Sequence, residues 1–163
     1  WFTACLAPVV QGDAAVPVPA LASDWDALRQ KFSGSSVLMV EDNRVNREVV
    51  LALLESQLLT VTLAANGQEA VDCVSKEAFD LILMDIQMPV LDGLQATRRI
   101  RQLPRGQNVP IIAMTANAFA EDRQECLAAG MDDFLAKPVG PDILFSRLMH
   151  WLETGRQLQA VAD

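Results

Sequence analysis

With 163 residues, 51% of them hydrophobic, the chain is long enough for one domain with a proper core plus an appendage. Its formal net charge of −8 argues against a general nucleic-acid binder, which needs a basic face. There is no apolar run of membrane-spanning length and no basic-then-apolar leader. Cys5, Cys73 and Cys126 lack CxxC spacing, so neither a disulfide framework nor a zinc site is expected, and the chain reads as cytoplasmic.

Trp1 to Leu6 reads as one short strand. Pro8, Gly12 to Ala15 and Val16-Pro17-Val18-Pro19 cannot hold a regular element and read as an extended linker. Asp24 to Phe32 predicts a brief helix capped by Ser23 or Asp24, and Ser33-Gly34-Ser35-Ser36 reads as a joint. A stand-alone protein seldom begins inside a strand, so the chain is expected to be a piece of a longer one.

From Val37 the punctuation becomes regular. Val37 to Val40 is a compact apolar strand running into Glu41-Asp42, and Asn43 can cap a helix with Val45, Val49, Ala52 and Leu53 on its inner face. Val61 to Ala64 is a second strand, followed by a helix from Gly67 to about Lys76 with Ala70, Val71 and Val74 inward. Leu81-Ile82-Leu83-Met84 runs straight into Asp85, the pattern of a strand buried on both faces. Gly93 to Gln102 predicts a helix whose Arg98, Arg99 and Arg101 form a solvated basic face. Ile111 to Thr115 is a fourth buried strand, and Ala118 to Ala129 a helix ended by Gly130. Asp133 to Ala136 is a fifth strand before Lys137-Pro138, and Pro141 with Asp142 opens a last helix through Leu152.

Five strand–helix units in strict alternation imply an α/β fold, a doubly wound five-stranded parallel sheet with flavodoxin-like order 2-1-3-4-5. In such sheets the chemistry lies past the carboxyl ends of the strands. Those ends carry Glu41 and Asp42, Asp85, Thr115 and Lys137, on four adjacent strands. Alone, each has an ordinary reading as a turn, cap or solvated end charge; together they are hard to explain that way. Three carboxylates in one cleft repel and call for a cation, and Mg2+ prefers such oxygens, with the Gln87 carbonyl available as a further ligand. Lys137 supplies a compact positive charge and Thr115 a hydroxyl for phosphoryl oxygens, which suits phosphoryl transfer onto Asp85.

VLMVEDNRVNREV, LILMDIQMPVLDG, PIIAMTA and DDFLAKP, spread over residues 36 to 153, resemble the receiver domain of two-component response regulators. The resemblance implies that Asp85 accepts a phosphoryl group from the phosphohistidine of a histidine kinase. It also implies that Mg2+ is held by Asp42, Asp85 and the Gln87 carbonyl with Glu41 assisting, and that Thr115 and Lys137 contact the phosphoryl oxygens. Phe134 falls at the switch aromatic, where the family often has Tyr, so a switch here must work by packing alone. Lys137-Pro138 is expected to be cis.

Glu41-Asp42-Asn43 with Val45-Asn46 is similar to receivers of hybrid sensor histidine kinases, and Trp1-Phe2-Thr3-Ala4 is similar to the last strand of a kinase's ATP-binding domain. The expected organisation is therefore a strand remnant at 1–7, a linker with a possible short helix at 8–35, the receiver at 36–153 and a tail at 154–163. The parent chain would be a histidine kinase, with an inner-membrane anchor left open, and the onward partner a histidine phosphotransfer protein. No nucleic-acid contact and no direct membrane contact are expected of this piece.

Alternatives are a stand-alone response regulator, an aspartyl-phosphate phosphatase and a flavodoxin-like mononucleotide binder. The phosphatase wants a second acid two residues after the nucleophile, where this chain has Gln87. The nucleotide binder wants a hydroxyl- and glycine-rich loop where Glu41-Asp42 stands. A receiver that only docks and is never phosphorylated is disfavoured by the intact acidic cluster. His150, the single histidine, reads as a packing or exposed residue of the last helix.

Overall fold

A computed structural model describes residues 23–117 and 120–162. The strand expected at Trp1 to Leu6, the extended stretch to residue 22 and the first residues of the helix expected from Ala118 lie outside them. The order is α1 (Ser23–Phe32), β1 (Ser36–Val40), α2 (Arg44–Ser56), β2 (Thr60–Ala64), α3 (Gly67–Lys76), β3 (Leu81–Asp85) and α4 (Gly93–Ile100). A 3-10 turn at Pro104–Gly106 follows, then β4 (Ile111–Thr115), α5 (Ala120–Ala129), β5 (Asp133–Ala136) and α6 (Pro141–Ala162).

All strand pairs are parallel, in the order β2-β1-β3-β4-β5, as expected. β3 and β4 are buried along their whole length, which is why they read as unbroken apolar runs. Alternate residues feed opposite faces of the sheet. Met39, Leu83 and Met114 pack with α1, α2 and α6, whereas Leu38, Ile82 and Ala113 pack with the side carrying α3, α4 and α5. Pairing of Val40 with Met84, Asp85 with Met114 and Thr115 with Ala136 sets the strand ends at one level, and the candidate site residues lie there.

Several local expectations change. In α2 the buried residues are Val50 and Leu54, with Leu53 half-buried, while Val45 and Val49 stand 68% and 55% exposed. The helix carries two apolar stripes, and the sheet takes the second. Thr97 of α4 is buried and donates to the Gly93 carbonyl at 2.8 Å. Arg101, expected on a solvated face, turns inward and donates to the carbonyls of Gly130 (2.8 Å), Gly106 (2.7 Å) and Val109 (2.7 Å) while pairing with Asp132. Gly130, at φ +103°, ends α5 as expected.

α6 does not stop at Leu152 but continues to Ala162, so the stretch expected as a tail is helical through that residue. α1 is not merely a helix in a linker: Leu28 and Phe32 are fully buried in the same cluster as Leu148 and Leu152. Burial of side chains this size stabilises by about 1.5–3 kcal/mol each.

Candidate active site

β1 releases its chain into Glu41, whose N–H donates to the Ala64 carbonyl of β2 at 3.1 Å. Glu41 is 1% exposed, while Asp42 beside it faces solvent. Asn43 then caps α2, its side chain accepting from the N–H groups of Val45 and Asn46. This cap fixes the turn that presents the acidic pair, and the Asn43 N–H itself donates to Glu41 Oε1 at 3.2 Å.

Asp85, the last residue of β3, is 3% exposed, and its Oδ1 accepts from the Gln87 N–H at 3.2 Å. The loop that follows folds tightly back: the Gly93 N–H donates to the Ile86 carbonyl, and a Cβ at Gly93 would stand 2.2 Å from the Asp85 carbonyl oxygen. Only glycine permits that approach. Within the loop Val90 takes φ +71°, an outlier for a β-branched residue.

The Lys137–Pro138 bond is cis, as expected. Lys137 Nζ lies 2.8 Å from Glu41 Oε2 and 2.9 Å from Asp85 Oδ2. Oxygens of Glu41, Asp42 and Asp85 all lie within 4.8 Å of one another. Burial pushes the Asp85 carboxyl up to about 6; Lys137 opposes the rise and Glu41 adds to it. Burial works against the Lys137 ammonium, but its hydrogen bonds to Glu41 and Asp85 overcome this and hold its pKa above the ordinary lysine value. One ammonium does not neutralise three carboxylates. A buried carboxyl raised in pKa among further acids is the donor chemistry of a hard divalent cation, so the residues present fit Mg2+.

Thr115 reaches the same pole but is engaged elsewhere. Its hydroxyl donates to the Asn117 carbonyl at 2.7 Å and accepts from the Asn117 N–H at 3.0 Å. Phe134 is half-buried on β5, with the Arg123 guanidinium 4.8 Å from its ring centre. Gln87 is exposed at the start of the loop. His150 is exposed, edge-on to Trp151.

Beside the cluster lies a cavity of about 160 Å³ lined by Asn46, Val49, Val50, Met114, Pro138 and Val139 together with Glu41 and Lys137. The sequence reading missed this apolar shoulder, because it turned Val45 and Val49 inward. The available signal was the second apolar stripe of α2.

A 2-1-3-4-5 parallel sheet with an acidic cluster past its central strands and a lysine reaching in from its edge strand defines the receiver class of signalling domain. The chain belongs to that family: the model described as "Response regulator receiver domain" matches residues 37–149. It is similar to the signal transduction histidine-protein kinase BarA of Escherichia coli (strain K12), 44% identical over 116 residues, which are 71% of this chain and 13% of that protein. Among solved structures it resembles the receiver domain of sensor histidine kinase PA1611 from Pseudomonas aeruginosa PAO1, with a magnesium ion coordinated in its active-site cleft. That likeness is 49% identical with a TM-score of 0.71, covering 74% of this chain and 99% of the other. It also resembles the Saccharomyces cerevisiae receiver domain of Ssk1, crystallised with the histidine phosphotransfer protein Ypd1. Here identity is 33% and the TM-score 0.69, over 73% of this chain and 89% of the other. The chain is thus a receiver domain of two-component signalling, homologous to receivers of sensor histidine kinases.

Proposed function

We propose that this receiver takes a phosphoryl group from a phosphohistidine onto Asp85 and passes it to a histidine phosphotransfer protein, as part of a hybrid sensor histidine kinase. The observation that carries the reading is Lys137 Nζ set between Glu41 and Asp85, with Asp42 open to solvent beside them. In the transfer the imidazole N–P bond breaks as an Asp85 carboxylate oxygen bonds phosphorus. The electron pair returns to the ring nitrogen, which takes up a proton.

Asp42, Asp85 and the Gln87 carbonyl, with Glu41 assisting, would hold Mg2+. The ion would neutralise charge on the carboxylates and the incoming phosphoryl oxygens. Lys137 would exchange part of its contact with Asp85 for a phosphoryl oxygen. The Thr115 hydroxyl would leave Asn117 for another, and Phe134, lacking a hydroxyl, would respond by packing alone. The apolar shoulder of Val49, Pro138 and Val139 suits the docking of a helical phosphotransfer protein. The yeast complex supports that partner class and the Pseudomonas structure supports the metal.

The match spans 13% of the Escherichia coli kinase, so kinase activity is assigned to a parent chain, which we place at the cytoplasmic side with an inner-membrane anchor open. Among the described residues no helix is long and apolar enough to cross a membrane. A phosphatase reading lacks its second acid, since Gln87 stands two residues after Asp85. The test is transfer from a radiolabelled phosphohistidine protein. Label should move to wild type and stay on the donor with Asp85→Asn; equal transfer to both would refute the assignment.

A further inference from the structure

The family match ends at residue 149, yet two elements outside it pack on each other: α1 and the last turns of α6. The Trp25 ring lies edge-on to Phe145, with centres 5.4 Å apart, in the second turn of α6. Toward the other end of α1, Lys31 pairs with Glu153. The Arg156 guanidinium stacks 4.7 Å from the Phe32 ring and donates to the Lys31 carbonyl at 2.7 Å. Arg29 donates to the Ser56 carbonyl at the end of α2. These contacts fix a direction: α1 runs parallel to α6, in the groove between α6 and α2.

That direction relocates where the chain joins the domain. β1 begins at Ser36, and in a parallel sheet every strand begins at the pole opposite Asp85. A connection ending at Ser36 would hang from the wrong end. α6 starts four residues after Lys137, so Phe145 belongs to the active-site pole and Arg156, eleven residues on, lies about 16 Å toward the other. Ten helical residues carry the chain back about 15 Å along that path. Ser33 to Ser35 close the bend: Gly34 takes φ +81° and donates to the Leu58 carbonyl, and the Ser35 N–H donates to the Phe32 carbonyl.

We propose that α1 is a return arm which moves the junction with the preceding chain from the pole of β1 to the pole of Asp85, holding a phosphohistidine donor on the same chain close to its acceptor. Moving the junction shortens the span an upstream donor must cross and raises its effective concentration at Asp85. This rests on the phosphoacceptor reading above.

The geometry is tested on the unmodified protein by NMR. Nuclear Overhauser contacts between the Trp25 indole and the Phe145 ring, with slowed amide exchange at Leu28 to Phe32, are expected. Freely exchanging amides there, or Trp25 contacts to Glu153 or Leu158, would overturn it. The role is tested in the longer chain with Leu28→Glu/Phe32→Glu, which undocks the arm. Transfer from the same-chain donor should fall about two- to threefold, while acetyl phosphate labels Asp85 as before. Unchanged same-chain transfer would overturn the role. Failure of acetyl phosphate to label wild type would instead remove the phosphoacceptor reading and leave the arm's geometry standing.

Discussion

Lys137 reaches across β4 to Asp85: its ammonium, just past β5, lies 2.9 Å from a carboxylate at the end of β3. The same nitrogen meets Glu41 at 2.8 Å, so one cation serves two buried acids. Removing one member of a buried ionic set leaves the others uncompensated. Lys137→Met should therefore lower stability by on the order of 3 kcal/mol at pH 8, and less at pH 5 where Asp85 takes up a proton. Thermal unfolding at both pH values checks this; equal losses would contradict it.

Asp85 gives a second pH dependence. Its carboxyl is raised from 3.8 to about 6 in the fold, so the folded state favours the protonated form. The associated stability is fully present below about pH 4 and is lost as pH rises through about 6. Without divalent metal, Asp85→Asn should exceed wild type by about 2–3 kcal/mol above pH 7, with the gap closing toward pH 4. Urea titrations across that range should show the convergence, and added Mg2+ should stabilise only the wild type.

Val90 holds φ +71° and is 84% exposed, so its side chain makes little contact that offsets a left-handed backbone. Val90→Gly should raise stability by about 1 kcal/mol, read as a higher urea midpoint at unchanged slope. A lower midpoint would show that the valine contributes packing in the loop after Asp85.

Arg101 ties the end of α4 to the turns at Gly106 and Gly130 and to Asp132, itself bonded to the Ile111 N–H. Arg101→Ala should cost about 2–3 kcal/mol, whereas Arg98→Ala, on the exposed side of α4, should stay within about 0.5 kcal/mol. Similar values for the two would contradict the network.

The sheet was legible because two-sided burial leaves a plain signature: Leu81 to Met84 and Ile111 to Met114 have no polar alternation, and each runs into a candidate site residue, Asp85 or Thr115. The strand-end positions of Glu41, Asp42, Asp85 and Lys137 follow from alternation plus strand order, and the structure brings them together. Helix phase was less legible. In α2 both Val45–Val49 and Val50–Leu54 have helical spacing, and hydrophobicity alone does not say which pair meets the sheet. Arg101 looked solvated because most of its partners are backbone carbonyls, which leave no trace in side-chain pattern, and Asp132 is 31 residues away. The depth of α1 was hidden for a related reason: Leu28 and Phe32 are too few to mark a helix as core until α6 is seen to extend beneath them. The hydroxyl of Thr115 was placed at the correct pole, but its hold on Asn117 belongs to backbone geometry.

The most direct test of Asp85 as phosphoacceptor is intact mass after incubation with Mg2+ and acetyl phosphate. The account predicts one added phosphate on wild type, none after Mg2+ is chelated, and none on Asp85→Asn. Wild type that gains nothing, or Asp85→Asn that gains as much, would contradict it.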